Sequence, residues 1–327
     1  MHLHYLLIAH KNPEQLQRLV ERISFEHSSI YIHIDKNSNI QPFKDLIPET
    51  DQVQYVADSS RIESKWCDIG TVNATLALYD LVDTQSKPGY CILMSGQDYP
   101  VKSNTYIYEY FKRNKGAEFI NIFSLPNPIW LNNGLLRLNF YKVDLSAKKG
   151  DLYVIPSLYN KEFYTLKNII KTLICVARGR ADILKKIIKK RVYPQYLKPH
   201  GGDTWWSLST KVLDEIMKFM KEHPDYYIYH HDTFCPDETM FHSIIPELQK
   251  HREIPVLENT TFANWIRTDI YKVGWFSSYQ LPGCMILDDW KQIQELPAST
   301  LYARKFDITV DSSILDKIDT ELLMNKN

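Results

Sequence analysis

The chain has 327 residues, 44% of them hydrophobic, and balances 39 basic against 39 acidic side chains. That length suits one large α/β domain or two smaller ones, and a net charge of zero excludes a protein drawn to nucleic acid by its overall field. Tyr (21), Phe (13) and Trp (7) are plentiful, a stock of rings that serves mainly a core and secondarily stacking on sugars.

Leu3 to Ala9 is an apolar run that predicts a strand, and Pro13 opens a helix on which Leu16, Leu19, Val20 and Ile23 recur at helical spacing. Ile30 to Asp35 alternates as a second strand, which makes a βαβ start. Val53 to Val56 is a third strand, and a helix from Asp68 carries Ile69, Val72, Leu76 and Tyr79. Tyr90 to Met94 is a short continuous apolar run, as expected of a central parallel strand. Ligands of open α/β sheets collect beyond the carboxyl ends of the strands, so Asp35, Arg61 and Asp98 are expected along one edge.

Phe119 to Ile122 predicts a further strand, and the irregular stretch from Leu125 to Tyr141 contains Arg137. Residues 161–200 are basic and amphipathic. This segment is either a solvated helix face or a patch resting on an anionic membrane surface. Trp205 to Ser209 predicts a strand, on which one tryptophan ring can face a cleft and the other the core. Pro236-Asp237-Glu238 predicts a helix start with acids in its first turn. There Glu238 is either a general base at a pocket edge or, with Asp237, a complement to the helix dipole. Two strands between Thr261 and Trp275, a helix from Asp288 and the loop containing Arg304-Lys305 complete the chain. No repeat or linker divides it, so a single domain is expected, with the basic segment as a helical insertion.

Cys67, Cys91, Cys175, Cys235 and Cys284 are odd in number, scattered and never spaced C-x-x-C. Such usage argues against disulfides or a zinc site and for a reducing compartment. The N-terminal apolar run is too short and lacks the basic leader of a signal peptide, and no stretch of roughly 18 apolar residues predicts a membrane span.

Several pieces fall in one order: Ile32-His33-Ile34-Asp35-Lys36; Arg61-Ile62-Glu63-Ser64 before Trp66; Ser95-Gly96-Gln97-Asp98-Tyr99-Pro100; Trp205-Trp206-Ser207-Leu208-Ser209; Pro236-Asp237-Glu238; and Ala303-Arg304-Lys305-Phe306-Asp307. As an ordered set they resemble the core-2/I-branching β-1,6-N-acetylglucosaminyltransferase family, which includes the peptide-O-xylosyltransferases. The resemblance implies a GT-A-type α/β fold, a mixed central sheet flanked by helices. It also implies inverting transfer of a sugar, N-acetylglucosamine first, from a UDP-sugar to a glycan or glycolipid hydroxyl. Glu238 would be the base. His33, Asp35, Ser60, Arg61, Asp98, Arg304 and Lys305 would hold the donor, and Arg137, Trp206 and Trp275 the acceptor, with Trp265 competing for the place of Trp275.

The sequence has no Asp-x-Asp, so no metal or other cofactor is expected, and Lys305 matches a family cation on the diphosphate. A second family arginine upstream of Lys305 has no counterpart. The resemblance further implies a bacterial-type, cytoplasmic member in polysaccharide synthesis, peripheral at the inner membrane face if the basic segment touches lipid. A UDP-xylose or other UDP-sugar donor, or a silent carbohydrate-binding protein, are the alternatives.

Overall fold

The computed structural model describes residues 1–274 and 277–323. Its centre is a seven-stranded mixed sheet in the order Val256–Leu257, Glu118–Phe119, Ser207–Ser209, Gly89–Ser95, His2–Ala9, Ser28–Ile34 and Val53–Tyr55. The last four run parallel, while Ser207–Ser209 is antiparallel to both its neighbours. His2–Ala9 lies between parallel partners and is covered on both faces, which is why it and its neighbours read as continuous apolar runs.

Successive side chains divide between two cores. Leu3, Tyr5 and Leu7 pack with Leu16, Leu19 and Ile23 of the Pro13–Ile23 helix, and Leu6 packs on the other face with Val72, Leu93 and Trp206. The Gly70–Tyr79 helix begins just after Asp68, whose carboxylate accepts the Gly70 N–H at 2.7 Å and the Lys65 N–H at 3.1 Å.

The carboxyl ends of the three longest strands lie side by side: Asp35 N–H donates to Ala9 and Gly96 N–H to Ile8. A small sheet of Thr261–Ala263, Tyr302–Arg304 and Asp98–Pro100 packs there and sets Arg304 directly opposite Asp98. Two hairpins, Phe140–Asp144 with Leu152–Pro156 and Thr268–Val273 with Ser277–Pro282, wall the same end. The first carries the helices Leu166–Ala177 and Asp182–Ile187 over a small core of Tyr141, Val143, Tyr153, Ile155, Cys175 and Ile183.

Three expectations change. The strand predicted over Phe119–Ile122 contracts to Glu118–Phe119. Pro236 opens only the single 3-10 turn Pro236–Glu238; Thr239 breaks it and the α-helix starts at Met240. Cys67 and Cys235 are joined in a disulfide, with Cα atoms 4.0 Å apart across 168 positions of sequence. This corrects the expected absence of disulfides and removes the basis for assigning a reducing compartment. Cys91, Cys175 and Cys284 are free. No helix among the described residues is long and apolar enough to cross a membrane.

Candidate active site

The turn bearing Glu238 is held from several sides. Cys235 takes a left-handed conformation at φ 51° and Cys67 at φ 58°, unusual for residues with a Cβ. The disulfide and a Cys235 N–H bond to the Cys67 carbonyl at 3.0 Å hold them there. Gly202 donates its N–H to the Glu238 carbonyl at 3.0 Å. A Cβ on Gly202 would meet the Asn121 carbonyl oxygen at 1.8 Å, so only glycine allows this approach.

The two acids diverge from this turn. Glu238 Oε2 accepts from Nε of Arg137 at 2.8 Å and also from its Nη2. The Arg137 guanidinium in turn lies 3.8 Å from the Trp130 ring centre and 5.7 Å from Phe234. Planar stacking with a forked donor is a combination that arginine offers and lysine does not. Arg137 is thus buried against the expected base. Asp237 turns away from it: Oδ2 accepts from the Thr204 hydroxyl at 2.7 Å, and Oδ1 is out of solvent without a partner. Burial, then the charge of Glu238, pushes the Asp237 carboxyl up to about 7.

The residues expected on the donor side gather at the strand ends, several of them as supports. His33 is fully buried, and its Nε2 accepts the Ile62 N–H at 2.8 Å. Burial pulls this imidazole down to about 4, so it stays neutral and holds the loop in place. Asp35 accepts the N–H groups of Asn37 and Ser64. Arg61 donates to the carbonyls of Ser38 and Lys36 and pairs with Asp58, which ties the two strand-end loops together. Ser60 is exposed at the end of the Asp58–Ser60 turn. Asp98 is buried, accepts from Ser95 N–H and Oγ–H, and pairs with Arg304 Nε at 2.9 Å.

Lys305, next to Arg304, is only partly exposed. Burial, then Arg304 and Lys149, lowers its ammonium to about 8. Lys149 was not singled out by the sequence. It lies at the end of the Phe140–Asp144/Leu152–Pro156 hairpin, and its Nζ sits 4.7 Å from the Tyr271 ring centre and 5.8 Å from that of Trp66. Lys149 is an exposed residue, yet its ammonium tucks over these rings. That desolvation, then the charge of Lys11, holds it below the ordinary lysine range. Lys11 pairs with Asp307 at 2.5 Å. Lysines from three distant parts of the chain therefore converge, which suits a polyanion.

The tryptophan pair corrects one expectation. Trp206 is 1% exposed and packs on Phe241 at 5.3 Å, so it belongs to the core and offers no platform for an acceptor. Trp205 takes the open side, with the Arg304 guanidinium 4.2 Å over its ring. Trp275 lies outside the described residues, and Trp265 is 56% exposed. A cavity of about 370 Å³ is lined by Leu136, Tyr279, Phe140, Asn168 and Lys171 among others. Tyr279 feels the charges of both Arg137 and Glu238.

Residues 3–148 match the family model described as Core-2/I-Branching enzyme. The whole chain is similar to xylosyltransferase 1 of Rattus norvegicus, 23% identical over 98% of this chain and 35% of the relative. Xylosyltransferase 2 of Pan troglodytes is also 23% identical, over 97% of this chain and 33% of the relative. The chain thus spans about a third of the length of these curated relatives. Among solved structures it is similar to core-mannan synthase A from Aspergillus fumigatus in its Mn/GDP form. That match has a TM-score of 0.32 and 11% identity, and covers 75% of this chain and 69% of that one. The mannosyltransferase Ktr4p of S. cerevisiae matches with a TM-score of 0.30 and 9% identity, over 74% of this chain and 64% of that one.

Proposed function

We propose that this chain, matched to the Core-2/I-Branching enzyme family over residues 3–148, is an inverting, GT-A-type glycosyltransferase. It would move a sugar, N-acetylglucosamine in the first instance, from a UDP-sugar to a hydroxyl of a glycan acceptor. The observation that carries this reading is the division of labour at one end of the sheet. A carboxylate fixed by Arg137 stands on the Pro236–Glu238 turn, and Arg304, Lys305 and Lys149 cluster on the other side.

Glu238 takes the proton from the acceptor hydroxyl as that oxygen bonds to the anomeric carbon, and the bond from that carbon to the UDP oxygen breaks on the opposite face. The negative charge left on UDP is met by the Lys305 ammonium, with Lys149 and Arg304 beside it. Lys149 answers the lack of a second family arginine upstream of Lys305. Arg137, Asp237 and Thr204 act as positioning residues for the base. Cations on the diphosphate take the place of a metal in this reading; activity lost to EDTA and restored by manganese would reject that part.

Glu238→Gln is expected to lower transfer by about 10²–10⁴-fold with UDP affinity unchanged in calorimetry. Unaltered turnover would overturn the assignment. One observation favours a second donor: the curated relatives named above are xylosyltransferases. A panel of UDP-sugars, read as donor hydrolysis and transfer, separates UDP-N-acetylglucosamine from UDP-xylose. Glycan binding with no affinity for UDP would instead point to a silent carbohydrate-binding protein.

A further inference from the structure

The Leu166–Ala177 helix is amphipathic in the reverse sense. Its buried residues are Asn168, Lys171, Thr172 and Cys175. The inner polar groups are satisfied within the protein: Lys171 Nζ donates to the Val154 carbonyl at 3.2 Å, Asn168 Nδ2 to the Glu162 carbonyl at 2.7 Å, and the Thr172 hydroxyl to the Asn168 carbonyl at 2.9 Å. The outward stripe is Leu166, Ile169, Leu173 and Val176, exposed at 73%, 39%, 63% and 37%. These recur at helical spacing and make a charge-free apolar ridge about 15 Å long. On the next helix and just beyond it, Leu184 and Ile188 are also exposed, at 44% and 56%. A soluble surface has no use for such a ridge unless something covers it.

Charge identifies the cover. Between residues 161 and 191 Lys and Arg outnumber Asp and Glu ten to two, in a chain whose net charge is zero. Several of these cations are spent within the protein: Arg178 on Asp151, Arg180 on Asp182, Lys186 on Asp232. Lys185, Lys189 and Lys190 remain exposed beside Leu184 and Ile188. A second copy of the chain seated on this face would set those lysines against their own counterparts. A lipid surface carrying negative headgroups accepts both the ridge and the lysines.

We infer that the face formed by Leu166, Ile169, Leu173, Val176, Leu184 and Ile188, with Lys185, Lys189 and Lys190, seats the protein on an anionic bilayer, the helices lying in the plane of the headgroups. The Leu166–Ala177 helix also contributes Asn168 and Lys171 to the cavity that Leu136 and Tyr279 line. The seating does not depend on the proposed reaction.

The test is co-sedimentation of the full chain with vesicles of phosphatidylcholine alone and with 30–40% phosphatidylglycerol, a composition of roughly physiological negative charge. Binding is expected to the anionic vesicles alone and to weaken at least about tenfold in Leu166→Ser/Leu173→Ser and in Lys185→Glu/Lys189→Glu/Lys190→Glu. All these positions are exposed, and unchanged circular dichroism and melting would show that the variants fold. Failure to bind anionic vesicles, or equal binding to neutral ones, overturns the inference. So does a wild-type dimer in sedimentation velocity that Leu166→Ser/Leu173→Ser dissolves, since the ridge would then be a contact between copies. Transfer to a soluble acceptor is read separately, so loss of catalysis with vesicle binding intact rejects the proposed reaction alone.

Discussion

Lys305 offers a sharp test because its charge changes within an accessible pH range. With the ammonium lowered to about 8, by burial first and then by Arg304 and Lys149, the free protein holds this proton at pH 7 and has lost most of it at pH 9. The diphosphate of UDP is already about nine-tenths ionised at pH 7 and essentially fully so from pH 8, since its last phosphate proton leaves near pH 6. If UDP binds the protonated form, the dissociation constant rises about tenfold from pH 7 to pH 9, or about 1.4 kcal/mol. Stability of the free protein runs the other way. An unfolded lysine keeps its proton to about 10.4, so between pH 8 and pH 10 the unfolded chain binds more protons and stability rises with pH. The assay is calorimetric titration with UDP at pH 7, 8 and 9 in two buffers of different ionisation enthalpy, so that proton uptake on binding at pH 9 is counted directly. Lys305→Arg, permanently charged, should flatten the pH dependence, and Lys305→Ala should weaken binding at pH 7 at least to the wild-type value at pH 9. A flat wild-type profile without proton uptake, or an undiminished slope in Lys305→Arg, would refute the placement of this ammonium against the diphosphate.

Arg137→Met leaves Glu238 without its charged partner and should cost about 1–3 kcal/mol in denaturant unfolding, with kcat reduced more than UDP affinity. Arg137→Lys should recover little, because lysine cannot both stack on Trp130 and fork onto the carboxylate. Asp237, raised to about 7, binds a proton that its unfolded counterpart sheds near pH 4, so stability should fall by up to about 1.4 kcal/mol per pH unit between pH 4 and pH 7. Melting temperatures of Asp237→Asn across that window should lack this decline. Replacing Cys67 and Cys235 by Ser should cost about 2–4 kcal/mol, read as a lower denaturant midpoint matching that of the reduced wild type.

Elements buried on two faces were legible in the sequence. His2–Ala9 and Gly89–Ser95 are short apolar runs because parallel strands leave no solvent face, and the Pro13–Ile23 helix announced itself by its proline and its periodicity. Local patterns lack direction, however. Alternation said that Trp205 and Trp206 point oppositely without saying which meets the core. The period of residues 166–177 foretold a helix but not that its apolar side faces out. Contacts across long stretches left no local trace: Lys149 reaches the cation cluster from a hairpin tip, and Cys67 meets Cys235 across 168 positions. The turn at Pro236 carries every mark of a helix start, yet the left-handed Cys235 and the break at Thr239 leave Glu238 ahead of the helix instead of within it.

The Cys67–Cys235 bond also gives the chain a topology that the linear order hides. It closes a covalent ring from which two arms extend. One arm carries His33, Asp35, Ser60 and Arg61; the other carries Glu238, Arg304 and Lys305. Within the ring lie Trp130, Arg137, the Phe140–Pro156 hairpin and the two basic helices. Apart from Asp98 and Lys149, the groups proposed for the donor sit on the arms, whereas Arg137 and its stacking partner Trp130 sit in the ring and Trp265 and Tyr279 on the second arm. The base follows the junction by three residues. The two basic helices of such a chain can be re-lengthened or exchanged inside the ring while both arms, and the base anchored beside their meeting point, keep their registry.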